Sequence, residues 1–122
     1  MDLPDTDIVS HFDECFAFID TARDTGGRVL VHCMAGVSRS ASIVIGYLMK
    51  VKDMDFVTAF NHVKAKRPTI RPNDGFMHQL QNYGCQLKQP KEKLWRVLKL
   101  QIMGFYLVTV LLIGLPYIPS FS

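Results

Sequence analysis

Apolar positions along this chain recur mostly at helical spacing, interrupted once by a run of different character. Phe12, Cys15, Phe16, Ile19 and Ala22 repeat every three or four residues and predict a helix. Ser10 and Asp13 stand where a capping box would open it, and Gly26-Gly27 would stop it. Arg28-Val29-Leu30-Val31-His32 is short and β-branched, the pattern of a buried strand. Ile43, Val44, Tyr47, Leu48 and Val51 predict a second helix opening near Ser38–Ser40. Asp55 is placed to cap a third, carrying Phe56, Ala59, Phe60 and Val63 and ended by Pro68. Arg71 to Gly75 reads as a loop, and Phe76, Leu80 and Tyr83 predict a fourth helix. A hinge at Gln89-Pro90 leads to a last helical segment around Leu94, Val97 and Leu98. One strand among so many helices poses a problem. A buried strand needs neighbours for its backbone groups, so the pattern predicts an α/β fold whose other strands are missing upstream.

The hydrophobic fraction of 48% is enough for a core but unevenly spread, because no charge follows Lys99. Ile102 to Leu115 is short of the ~20 apolar residues that span a bilayer. Counting on to Phe121 reaches that length, but Pro116 and Pro119 break the helix. Three readings of 102–122 compete: a divergent or read-through end, a membrane anchor, and a core-packing helix. For an anchor, Lys91, Lys93, Arg96 and Lys99 would put the preceding domain on the cytosolic side. Any membrane association would run through this tail alone.

At 122 residues the chain holds at most one ordinary domain. A net charge of +3, without basic stretches interleaved with aromatics, gives no case for nucleic acid. Lys64, Lys66, Arg67 and Arg71 read as a solvated face rather than a substrate-attracting rim. Three cysteines, Cys15, Cys33 and Cys85, suit a reducing compartment, and Cys15 reads as plain core. The acidic, proline-broken start is no secretory signal, so the expected location is cytoplasmic or nuclear.

The chemistry lies in "VHCMAGVSRS", Val31 to Ser40, where a strand ends in a cysteine and a tight loop leads into a helix. Unpaired N–H groups at a helix start, with the macrodipole behind them, favour an anion. Gly36 lets successive N–H groups converge, and the planar fork of Arg39 fits two oxygens of a phosphate. The same field acts on Cys33. A free thiol is about 3% thiolate at pH 7, and one brought to about pKa 6 is about 90% thiolate. A thiolate inside a phosphate cradle implies attack on phosphorus and a phosphocysteine intermediate. Other chemistries fit less well. His11, His62 and His78 fall on or beside predicted helices, away from any protease arrangement. No Cys/His/Asp group shows metal-ligand spacing, and neither a metal nor a cofactor is expected. Met34, Ala35 and Val37 add no lysine for further phosphates, which favours a protein substrate over a phosphoinositide.

"HCMAGVSRSAS" fits the His-Cys-x5-Arg-Ser signature of the cysteine-dependent protein phosphatases. The surrounding "FDECFAFID", "GRVLVHC", "IVIGYLMK", "KAKRPTIRPNDGF" and "QLQNYG" resemble the dual-specificity branch, which acts on phosphotyrosine and phosphoserine/threonine. The resemblance runs from Met1 to about Leu87 and is to small atypical members. It implies Cys33 as nucleophile, Arg39 as phosphate clamp, and the N–H groups of Met34, Ala35, Gly36, Val37, Ser38 and Arg39 as cradle. Ser40 would hydrogen-bond the sulfur and help it leave. His32 would orient the cysteine loop, and Asn73 would either brace that loop or serve as a helix cap. The general acid would be an aspartate ahead of the cysteine, which alignment from Phe12 puts at Asp2, with Asp5 and then Asp7 as alternatives. The family fold has further strands and a helix before that acid, so Asp2 is expected on a free end. Met1 is expected to be an internal methionine, or the start of a short isoform or an incomplete gene model. The resulting division is 1–87 as the C-terminal two-thirds of a phosphatase domain, 88–101 as a basic linker and helix, and 102–122 as the tail. The implied substrate is a phosphorylated protein; the rival reading is a catalytically weak or inactive fragment that binds phosphoproteins. Oligomeric state is left open.

Overall fold

The computed structural model describes residues 2–89, Leu98 and Gln101. The chain divides into one unit, Met1–Leu87, and a second, Lys88–Ser122. The hinge at Pro90, the segment around Leu94 and Val97, and the 102–122 tail lie outside the described residues. The helical core and the cysteine loop both belong to the first unit.

Three helices, α1 (Phe12–Asp24), α2 (Arg39–Val51) and α3 (Phe56–Lys66), are followed by α4 over 74–89. A 3-10 turn, Val9–His11, runs directly into α1. The expected capping box at Ser10 is not formed. Asp7 Oδ1 accepts the Ser10 N–H at 3.1 Å and the Ser10 hydroxyl donates to the Asp7 carbonyl, so the capping begins one turn earlier. Asp55 does cap α3, its carboxylate accepting the Thr58 N–H at 2.8 Å. Arg67 and Pro68 follow the last helical residue, as a proline requires.

α2 is the central element, packed against α1 on one side and α3 on the other. Its inward residues Ile45 and Met49 are essentially inaccessible, as are Phe12 and Phe16 of α1 and Phe76 and Leu80 of α4. Phe12 stacks on Phe16 at 4.9 Å between ring centroids and meets Tyr83 edge-on at 5.0 Å. Gly46 lets α1 approach this closely. A Cβ there would lie 2.6 Å from the Phe12 ring. Cys15, expected in the core, is only partly buried.

The predicted strand over 28–32 is not formed: the described residues contain helices and loops and no strand, so they do not confirm the α/β expectation. A strand exists only as a ladder with a neighbour, and among the described residues none lies beside this segment. Val29 and Val31 pack against the helical core, while Leu30 is 82% exposed and Phe18 of α1 is 69% exposed. Between them opens a cavity of about 590 Å³, bordered also by Cys15, Ile19 and Ile43.

Candidate active site

Residues 34–38 form an irregular loop that ends as α2 begins, with Ser38 as its N-cap. Gly36 has φ +64°, a conformation that side chains with a Cβ rarely adopt. A Cβ at Gly36 would also meet the Arg67 guanidinium, 2.7 Å from Nη2. The basic cluster around Arg67 is therefore not all remote surface, because this arginine borders the loop itself. Sequence periodicity carries no signal for that contact.

Cys33 stands at the entrance of this loop, its Sγ 3.3 Å from the Ser40 hydroxyl. Burial pushes the thiol up. The Ser40 hydroxyl and the N–H groups of Ser40, Gly36 and Val37 outweigh it and bring the pKa down to about 6. These donors belong to the loop and the first turn of α2, so the thiolate is stabilised by groups that point to an anion anyway. Arg39 Nε is buried without a hydrogen-bond partner among the described residues. A buried charged donor of this kind is costly unless an acceptor reaches it, and an anion on the loop is the natural acceptor.

Asp2 reaches the same loop. Its Oδ1 accepts from the Ser38 hydroxyl at 2.8 Å and from Asn73 Nδ2 at 2.8 Å. Ser38 Oγ in turn accepts the Asn73 N–H at 3.0 Å, which closes a ring of three residues. Asn73 Oδ1 also accepts the Phe76 N–H at 2.9 Å, in the first turn of α4. The loop is tied down once more where the Arg71 N–H donates to the Val37 carbonyl at 2.7 Å. Asp7 is engaged at the 3-10 turn and Asp5 is exposed, so of the three aspartates it is Asp2 that the fold brings to the loop. The expected free end is not found: Asp2 is held. His32 differs from expectation in the other direction. It is exposed and makes no hydrogen bond among the described residues, so the bracing it was expected to supply comes from Ser38 and Asn73.

Among the described residues no group of three or more His, Cys, Asp or Glu could hold a metal ion. The arrangement gathers around one loop a sulfur, converging N–H donors, a guanidinium and, from the N-terminal segment, a carboxylate. That set can displace an alkoxide or phenoxide from a phosphate monoester.

A profile of the dual specificity phosphatase catalytic domain matches residues 1–86. The chain belongs to the dual specificity phosphatase family. It is 55% identical over 83 residues to mouse dual specificity protein phosphatase 19, covering 68% of this chain and 38% of that protein. It is 52% identical over 82 residues to an Arabidopsis thaliana relative, dual specificity protein phosphatase 1, covering 67% and 41%. The chain thus spans less than half the length of these family members. Among solved structures, the human tyrosine phosphatase-like serine/threonine/tyrosine-interacting protein superposes with a TM-score of 0.68 at 45% identity, covering 70% of this chain and 56% of that one. Human DUSP28 superposes with a TM-score of 0.70 at 38% identity, covering 72% and 60%. The residues matched by the family, 1–86, take in the cysteine loop and helices α1 to α3.

Proposed function

We propose that this chain carries the catalytic machinery of a protein phosphatase that hydrolyses phosphotyrosine and phosphoserine/threonine through a phosphocysteine intermediate. The observation that carries this reading is the convergence of three backbone N–H groups and the Ser40 hydroxyl on Cys33, with the thiol brought to about 6. In the first step the Cys33 thiolate attacks phosphorus in line, forming the S–P bond as the P–O bond to the substrate breaks. The departing oxygen takes a proton from Asp2. Arg39 and the N–H groups from Met34 to Arg39 hold the three equatorial oxygens, whose charge shifts in the transition state. In the second step water attacks phosphorus, Asp2 accepts its proton, and the sulfur departs as a thiolate, helped by the Ser40 hydroxyl. Inorganic phosphate leaves. No cofactor enters this scheme.

The test is hydrolysis of p-nitrophenyl phosphate by the purified chain, with Cys33→Ser as control. Turnover that disappears in Cys33→Ser is expected; turnover unchanged by it would overturn the reading. A second reading, a phosphoprotein-binding module without turnover, is favoured by one observation: a solved neighbour at 45% identity is named as a phosphatase-like interacting protein. Retained phosphate binding with no Cys33-dependent hydrolysis would select it.

Further proposals concern the rest of the chain. Residues 1–87 act as the phosphatase portion, 88–101 as a basic linker, and 102–122 as a separate apolar tail. Val29–His32 becomes a strand of the α/β fold once another strand lies beside it. The substrate is met in the cytoplasm or nucleus.

A further inference from the structure

The segment 2–8 has little regular structure, yet it is fixed at three places to one short stretch of the chain. Gln79 of α4 uses its whole side-chain amide on it: Nε2 donates to the Thr6 carbonyl at 2.8 Å, and Oε1 accepts the Ile8 N–H at 2.9 Å. This pair of bonds copies the way one strand holds another. At Gly75 the backbone of Pro4 lies so close that a Cβ would come within 1.8 Å of the Pro4 carbonyl oxygen. At Asn73 the amide is oriented by its two neighbours. Oδ1 must accept from the Phe76 N–H, which leaves Nδ2 to donate to Asp2. Both donors to Asp2, Ser38 Oγ and Asn73 Nδ2, end on the same oxygen, Oδ1. A proton carried by this carboxyl therefore sits on Oδ2, the oxygen that is not already engaged.

We infer that Asn73, Gly75 and Gln79 form a docking platform at the start of α4 that seats residues 2–8, presenting Asp2 to the cradle with Oδ2 as its proton-carrying oxygen. The inference rests on the proposed phosphatase function for its chemical consequence, but not for the seating itself. None of the three is a hydrogen-bond partner of the Cys33 sulfur, whose donors are Ser40, Gly36 and Val37. They are positioning residues, acting through Asp2. The platform also explains how a general acid works from a segment with almost no secondary structure, because the order is borrowed from a helix.

Three variants separate positioning from simple structural support. Asn73→Asp keeps the oxygen that caps α4 but replaces the donor to Asp2 with a second carboxylate oxygen. Gly75→Ala forces Pro4 away from the helix. Gln79→Ala removes both backbone bonds and serves where Gly75→Ala fails to fold. With phenyl phosphate, whose leaving group needs a proton, each variant is expected to lower kcat/KM by about 10²-fold, the lower end of what a general acid contributes. With p-nitrophenyl phosphate, whose leaving group does not, kcat/KM, which ends at formation of the phosphocysteine and so omits the second step, is expected to change little, and vanadate affinity, which reports the cradle, is expected to hold. In an Asp2→Asn background the same substitutions are expected to add nothing, since all act through one carboxyl. Equal losses of kcat/KM on both substrates, or losses that add to Asp2→Asn, would overturn the inference. A readout independent of turnover is backbone 15N relaxation. Residues 2–8 are expected to be as ordered as α2 in the unaltered chain and mobile in Gly75→Ala or Gln79→Ala. If the unaltered chain turns nothing over, the phosphatase reading fails and the seating is decided by relaxation alone: mobile residues 2–8 in the unaltered chain overturn it.

Discussion

Cys33 holds two opposed influences, burial that favours the neutral thiol and four donors that favour the thiolate, and the donors win. The result is a sulfur that reacts near neutrality. Cys15 is pushed the other way, by burial and by the adjacent Glu14. Alkylation by iodoacetamide therefore has a predictable order. Cys33 is expected to be modified with a midpoint near pH 6, and Cys15 only at distinctly higher pH. Ser40→Ala removes the side-chain donor 3.3 Å from the sulfur but leaves the backbone donors in place. Its Cys33 midpoint is expected to rise part of the way towards a free thiol, as read by mass-resolved alkylation rates. A midpoint unchanged by Ser40→Ala would mean that the backbone alone sets the thiol.

At the scale of elements, two glycines on facing helices separate a rigid contact from a soft one. Gly46 in α2 faces the Phe12 ring, which is itself wedged between Phe16 and Tyr83 and has nowhere to go. Gly46→Ala is expected to destabilise the unit by about 1–3 kcal/mol through overpacking, more than the helix-propensity gain of about 1 kcal/mol returns. A Cβ at Gly84 in α4 would meet only the terminal methyl of Met49, at 2.9 Å, and a methionine tip can turn aside. Gly84→Ala is expected to be neutral or stabilising by up to about 1 kcal/mol. Urea midpoints of the two variants test the contrast. The helices were legible in the sequence because their apolar faces repeat within a single element. The cradle was legible because Cys33 to Ser40 is contiguous and its chemistry needs those residue types. The seat of Asp2 was not, because Asn73 and Gln79 lie 71 and 73 residues from the atoms they hold. Neither the Asp7 capping turn nor the Gly75–Pro4 contact leaves a periodic trace, and a strand over 28–32 needs a partner that no local pattern can supply.

For the whole molecule, the thiolate couples the cradle to folding. The Cys33 thiol titrates near 6 when folded and near 9.0 when free, so folding favours the ionised form. Below pH 6 both states bind the proton and the cradle adds nothing through it. Between about 6 and 9 the unfolded chain binds the proton and the folded chain does not, so stability rises with pH across that window. Above about 9 both are ionised and the contribution is complete. It is lost again as pH falls through the folded value. Other groups titrate over the same range, but Cys33→Ser removes only this one, since a serine hydroxyl does not ionise there. The difference in urea midpoint, unaltered chain minus Cys33→Ser, is therefore expected to grow from pH 6 to pH 9 and to be flat below and above. Phosphate must be kept out of the buffers, because an anion bound only to the folded cradle adds stability by mass action, about 2.7 kcal/mol at a hundred times its Kd. A midpoint difference that is constant from pH 5 to pH 9 would show that the loop does not hold the thiolate in solution. One that shrinks as pH rises would show the loop working against it, with burial, not the donors, deciding the state of the sulfur.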